Sequence, residues 1–395
     1  MILRRHIHKL LSQYYQQPQN AVVGSIQSDA INFKNLLGEW HWRRKFSKLY
    51  KEQAGQWLTP VELFRPYYSQ ILANFIAREA NDASQVHIIE LGGGRGTNAR
   101  SILDHLQQYH PDIYKGTQYT IMDSSPTLLE LQRDVLLNKS SEHDRIVQLK
   151  QIDMLDVAER RVDFLEKSNV LTIVVAMEML DNLPHDKITV CSKTGTILQT
   201  NLLQNKMSGQ LNEVYVPLED ELLSTIIDIY PSYVPIQGYS WVPSVAAQML
   251  TRLFEERPNA SIVLADFDYL PPPDVVSTSS HTRLSQRADG EPLVTDMNDV
   301  DHECYLTSPP LCDVLFPTDF GALQGYVSAT MEETLEDKDN IRPWDVVIQK
   351  QSGFLASFGQ HQVEETKSRW SGYTPILQDF SNCSVISVSR LDSRS

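Results

Sequence analysis

Cysteine is scarce: the 395 residues hold four, Cys191, Cys304, Cys312 and Cys383, and no two form a C-x-x-C pair. Neither a zinc ribbon nor a disulfide framework is therefore indicated. No apolar run reaches the ~18 residues that a spanning helix needs, so no integral membrane segment is expected. Cations are in the minority, with 35 Lys and Arg against 50 Asp and Glu and a formal charge of -15. That balance argues against nucleic acid as the main partner. Asp301, His302, Glu303 and Cys304 have metal-ligand chemistry, but adjacent residues on a strand or loop point in different directions, so no metal is assigned. No internal repeat is present.

The first residues lack something more specific, because no acid precedes Asp29. Arg4, Arg5 and Lys9 lie among Ile2, Leu3, Ile7, Leu10 and Leu11, which share one helical face. A basic, acid-free amphipathic helix fits a mitochondrial presequence, so residues 1–28 are expected to direct the protein to the matrix. Residues 29–85 read as a helical region. Ile31 to Tyr50 forms one helix, with Arg43, Arg44 and Lys45 on a solvated face beside Trp40 and Trp42. In GQWLTPVELFRPYYSQILANFIA, Thr59 is the expected N-cap and Pro60 the first helical residue.

The chain is organised around VHIIELGGGRGTNA, Val86 to Ala99. Val86, Ile88, Ile89 and Leu91 suit a strand buried on both faces of a parallel sheet. Glu90, Gly92, Gly94 and Gly96 then make an acid-led glycine turn, and Ala99, Ile102, Leu103 and Leu106 recur at helical spacing. Ligands bind at such strand ends in open α/β sheets. A P-loop is excluded because no Lys-Ser or Lys-Thr closes the glycine run. Two ligand readings remain: a dinucleotide, from Gly94, Gly96 and Ala99 as G-x-G-x-x-A, and an adenosyl group, from the acid and spaced glycines.

Further strands are expected at Gln118–Asp123, Arg145–Ile152, Leu171–Ala176, Ser261–Phe267 and Ser384–Ser389. Asp123 ends the second and can accept hydrogen bonds from both ribose hydroxyls of an adenosyl ligand; Asp153 follows the third, where the adenine amine would lie. After the fourth comes MEMLDNLPHD, with Glu178, Asp181, Asn182, His185 and Asp186 crowded at a strand end. Residues 187–218 alternate and carry Gly195 and Gly209, as an antiparallel insertion would. Residues 271–310 are rich in Pro, Ser, Thr and Asp and read as a long loop.

Several of these motifs together resemble the MidA family of S-adenosyl-L-methionine (SAM)-dependent methyltransferases, which includes a factor for assembly of mitochondrial respiratory complex I. ELGGGRGT resembles E-x-G-x-G-R-G-T. Asp123 with the SSPTLLELQRDVL that follows it resembles E/D-x-S-P-x-L-x-x-x-Q-x-x-x-L. EMLDNLP resembles N-E-x-x-D-A-L-P, and GQWLTPVE resembles G-D-F-x-T-x-P-E. Met177 stands where the family has Asn, and Asp266-Phe267-Asp268 replaces D-Y-G. The resemblance implies a Rossmann-like class I α/β fold over residues 86–395, mostly parallel, with a helical N-terminal region. It implies SAM as cofactor, held by Glu90, Gly92, Gly94, Gly96, Asp123 and Asp153. The implied activity is methyl transfer to arginine of a complex I subunit. Glu178 and Asp181 are the candidates to bind the guanidinium and accept its proton. A silent SAM-fold assembly factor is the main alternative, and an NAD(P)-dependent reductase the lesser one.

Overall fold

The computed structural model describes residues 1–16, 23–26, 31–53, 56–81, 83–137, 143–275, 289–335 and 344–390. In chain order its strands are β1 (Val86–Leu91), β2 (Thr117–Asp123), β3 (Val147–Gln151), β4 (Leu171–Met177), β5 (Asp186–Val190), β6 (Ile197–Gln204), β7 (Leu211–Pro217), β8 (Tyr239–Val242), β9 (Ala260–Phe267), β10 (Leu293–Asp296), β11 (Asp301–His302), β12 (Cys312–Leu315), β13 (Trp344–Lys350) and β14 (Cys383–Arg390). Seven form the central sheet in the order β13-β14-β9-β4-β1-β2-β3. β3, β2, β1, β4 and β9 run parallel, while β14 is antiparallel to both β9 and β13.

The β-branched runs explain this sheet. Ile88, Ile173, Val175 and Val263 enter a core on one face, together with the Tyr67–Glu79 and Thr97–Tyr109 helices. Their neighbours Ile89, Val174, Ala176 and Leu264 enter a second core with the Ser244–Glu256 and Phe320–Leu335 helices. Alternate side chains thus pack both faces, which is what a near-continuous apolar strand sequence requires. The mostly parallel α/β architecture is the expected one.

The antiparallel excursion is also present. β5, β6 and β7 are joined by β8 in a four-stranded sheet ordered β7-β6-β5-β8. The Pro-rich stretch departs from expectation: its described residues contribute β10 and β11, which pair with β12 in a three-stranded antiparallel sheet. Leu293 is buried with Leu270 and Leu315, while Val294 packs into the cluster built on the first helix. The single helix expected over Ile31–Tyr50 is divided at Gly38 (φ +148°) into a short turn, Phe33–Asn35, and a helix, Glu39–Glu52. Gly55 lies outside the described residues.

The first helix, Leu3–Tyr15, is built into the molecule. Leu3, Ile7, Leu10 and Leu11 pack against Leu202 of β6, Val314 of β12, Trp241 and Phe316. On its other side the buried Arg4 guanidinium meets Asp186 at 2.9 Å, Asp220 at 2.7 Å and Glu159 at 3.3 Å. Burial works against that charge, but the two aspartates outweigh it and hold Arg4 more firmly protonated than usual. The segment that reads as a leader therefore links both antiparallel sheets to the central fold. Removing one partner of a buried charge cluster costs about 3–5 kcal/mol. Arg4→Ala should lower unfolding stability by that order in denaturant titration; a loss below about 1 kcal/mol, the worth of a surface pair, would contradict it.

Candidate functional site

At the carboxyl ends of β1, β2, β4 and β9 lies a cavity of about 410 Å3. That volume falls within the range of small-molecule sites, about 300–1,000 Å3. Gly92, Gly94, Asp123, Asp153, Glu178 and Asp181 line it, so six of the eight expected site residues meet in one place. A larger cavity of about 580 Å3, lined by Ser84, Gln85, Ser168, Asn259 and Trp344, opens elsewhere and has neither a glycine turn nor a carboxylate cluster.

The glycine turn works on two levels. Gly94 has φ +51°, and a Cβ there would find its nearest atom, Val23 Cγ1, only at 4.0 Å. Its backbone is therefore open to a ligand. Gly96 instead faces the next helix, Pro126–Leu136, where a Cβ would stand 3.1 Å from the Cα of Gln132. Glu90 also sits beneath the turn. Its carboxylate accepts hydrogen bonds from Asn98 Nδ2 and Tyr119 Oη, both at 2.8 Å, and burial pushes its pKa up to about 7 against those bonds. Glu90 and Gly96, expected to touch the cofactor, brace the turn and do not line the cavity.

Asp123 accepts the Ser125 amide at 3.0 Å and Gln132 Nε2 at 3.1 Å, and burial pushes it up to about 6. Each oxygen keeps a lone pair for a ligand hydroxyl. Gln132 also donates to the Gly94 carbonyl at 3.0 Å, so one side chain ties the acid to the glycine turn. This Gln stood inside the S-P-x-L-x-x-x-Q run, but the sequence assigned it no role. Asp153 caps the Met154–Ala158 helix through the Leu155 amide at 2.9 Å. Burial opposes its charge, yet His8 at 2.7 Å holds the carboxyl below its usual range.

The other wall is acidic. Glu178 adopts φ +52°, a left-handed conformation unusual for a residue other than glycine and common at strained functional turns. Asp266, at the end of β9, accepts the amides of Leu180 at 2.7 Å and Asp181 at 3.1 Å with one oxygen, and that of Phe267 at 2.7 Å with the other. Asp313, on β12, accepts Asn182 Nδ2 at 2.9 Å and Tyr15 Oη at 3.1 Å. Burial raises both to about 7 against these bonds. Asp181 is pushed far above its usual value by burial and then by Asp266, Asp313 and Glu178; Glu178 is raised by burial and Asp266. One oxygen of each, Glu178 Oε1 and Asp181 Oδ1, has no hydrogen-bond partner among the described residues.

Sequence reasoning missed Asp313, Tyr15 and His8, whose contacts span 131, 298 and 145 residues respectively. His185 was singled out but is a packing residue: it stacks on Phe316 with centroids 4.1 Å apart, and burial lowers it to about 4. Asp186 belongs to the Arg4 cluster and not to the cavity.

The residues fit an adenosyl cofactor. The glycine backbone is open at Gly94, the Asp123 carboxylate is tied to it through Gln132, and Glu178 and Asp181 line the same cavity.

The comparisons agree. Residues 69–336, about two thirds of the chain, match the model of a family described as "Putative S-adenosyl-L-methionine-dependent methyltransferase". A Burkholderia thailandensis protein bound to S-adenosyl-homocysteine superposes with a TM-score of 0.62 at 16% identity, covering 99% of this chain and 88% of the other. A second structure from that organism, determined by iodide phasing, gives 0.60 at 14% identity, with 99% and 87% covered. At such identities the likeness shows the fold. No curated protein sequence matches significantly.

Two outcomes follow. Gly94→Val should abolish SAM binding in calorimetry, and Asp123→Ala should weaken it by ~1.5–3 kcal/mol, the value of hydrogen bonds to a charged group; wild-type affinity in both would displace the site. Glu90, Asp123, Asp266 and Asp313 have folded pKa values of about 6 to 7, above the ~4 of unfolded carboxyls. The folded state then holds more protons between those values, so its stability falls as pH rises from about 4 to 7. The melting temperature should drop across that interval, and less steeply in Asp313→Asn; an unchanged slope in the variant would remove Asp313 from the buried cluster.

Proposed function

The chain belongs to the family of S-adenosyl-L-methionine-dependent methyltransferases whose model it matches, and on that premise we propose that it transfers the methyl group to the guanidinium of a protein arginine. One observation carries this reading: Glu178 and Asp181 face the same cavity as the glycine turn, and each keeps a carboxylate oxygen without a partner among the described residues.

Bound SAM supplies an electrophilic methyl group. The chain's part is to hold and relieve the nucleophile. A guanidinium is planar and offers paired N–H donors that match carboxylates. Its charge would favour the ionised forms of Glu178 and Asp181, whose burial and mutual repulsion oppose ionisation while they have no cation. An ionised carboxylate can then accept the proton that the attacking nitrogen loses. Positioning accounts for the rest, since transfer in line needs no covalent intermediate on the protein.

The resemblance to MidA proteins extends the proposal to a subunit of mitochondrial complex I as substrate, within the matrix. Because the first helix walls the cavity, an address encoded there has to be read during import and then retained. A reporter fused to residues 1–40 that stays cytosolic would remove this part of the proposal.

A second reading, a SAM-binding assembly factor without turnover, draws on Met177. Its thioether, in contact with the Tyr68 hydroxyl at 3.6 Å, occupies the place of the family's Asn. Methyl transfer from labelled SAM into arginine-containing peptides and mitochondrial extract separates the two. Wild type should label arginine, and Asp181→Asn should lose ~10²-fold or more in rate while keeping SAM affinity. Full turnover in Asp181→Asn would overturn its role; tight SAM binding with no wild-type turnover would leave the assembly-factor reading.

A further inference from the structure

The Glu39–Glu52 helix has an outer face that the methyltransferase reading does not use. Its inner face carries Trp42, fully buried, with Phe46, Leu49 and Tyr50 packed against the core. Helical spacing puts Trp40, Arg44, Lys48 and Lys51 on the opposite side, and all four are exposed. The helix holds five cations against two carboxylates in a chain of net charge -15.

The apolar surface beside it is concentrated. Of six tryptophans only Trp40 and Trp370 are strongly exposed, at 60% and 74%, and Leu37 beside them is 51% exposed. They share one seam: the Arg369 amide donates to the Lys34 carbonyl at 3.1 Å, and Ser371 Cβ lies 3.8 Å from where a Cβ on Gly38 would be. The local acids are taken, Glu39 by Arg43 at 2.7 Å, Glu52 by Lys48 at 3.7 Å, Glu365 by Lys34 at 3.3 Å and Glu364 by Lys367 at 2.9 Å. Arg44, Lys45, Lys51 and Arg369 have no ion-pair partner among the described residues.

We propose that this seam docks the protein onto a bilayer surface that presents anionic headgroups. Two indoles and a leucine surrounded by unpaired cations are the composition of an interfacial anchor: the rings settle at headgroup depth and the cations meet the lipid charge. The helix face is convex, so it gives an extended polynucleotide no groove to follow, whereas a flat headgroup surface can meet it along its length. Tyr50, on the inner side of the same helix, packs 6.5 Å from the ring of Trp57, which lines the cavity, so docking brings a wall of the site close to the bilayer.

The test uses the full chain with vesicles of phosphatidylcholine alone and of phosphatidylcholine mixed with phosphatidylserine. Wild type should sediment with the mixed vesicles, be released by salt, and bind neutral ones poorly. Arg44→Gln with Lys51→Gln should lower partitioning about thirtyfold, the effect of two cations lost at an anionic surface. Trp40→Ala with Trp370→Ala should abolish it. The charge pair changes no buried atom, so it remains decisive if the tryptophan pair fails to fold. Equal binding to both vesicle types, wild-type partitioning in the charge variant, or capture of polyglutamate or single-stranded DNA without capture of vesicles would overturn the proposal.

Discussion

At the carboxyl end of β9, Asp266 is wholly buried and takes the amide hydrogens of Leu180, Asp181 and Phe267. Two of these amides, of Leu180 and Asp181, belong to the segment after β4, and one oxygen of this carboxylate serves both where a strand partner would otherwise stand. Its hold is what permits Glu178 to sit at φ +52°. A strained residue persists only where its surroundings over-determine it; the Glu178 amide is bound by the Ala265 carbonyl at 2.8 Å and the turn amides of Leu180 and Asp181 by Asp266. The acidic wall thus depends on an acid that itself donates nothing to a ligand.

A second support comes from the small antiparallel sheet. The Phe316 amide, just past β12, donates to the Asp181 carbonyl at 2.9 Å, and Asp313 binds the Asn182 side chain. The first helix then closes the arrangement, since the single Tyr15 hydroxyl hydrogen lies between two acceptors, Asn182 Oδ1 at 2.8 Å and Asp313 Oδ2 at 3.1 Å. Three elements distant in sequence therefore fix one turn. The cavity is as stiff as their mutual packing, and the first helix is part of that stiffness.

The parallel sheet was legible in the sequence because its strands are short β-branched runs that have to be buried on both faces. β13 was not, since WDVVIQK is only half-buried and carries no decisive period. The cavity's glycine and acid residues were legible because turn chemistry and strand ends are local properties. Asp313 and Tyr15 were invisible for the opposite reason: their roles exist only once β12 and the first helix arrive at Asn182. The first helix shows a deeper ambiguity. A basic amphipathic face reads alike whether its cations will meet water, a translocation receptor or Asp186 and Asp220, and only the fold reveals that Arg4 is buried while Arg5 is not.

That ambiguity extends to the acids. A run such as EMLDNLP suggests two ionised carboxylates, but in the folded protein Glu178 and Asp181 stand among Asp266 and Asp313, and burial drives all four toward the neutral form. Like charges this close cannot all ionise without a compensating cation. On the proposed reading, in which this cavity receives a guanidinium, the wall would distinguish ligands by charge before shape. A neutral group meets protonated carboxyls and gains only ordinary hydrogen bonds. A cation instead shifts the cluster toward its ionised state, gaining charge-assisted bonds and releasing protons. Selectivity of this kind would need no further recognition residue: Glu178, Asp181 and Asp313 line the cavity, and Asp266 behind them adds a fourth buried charge that a cation would offset.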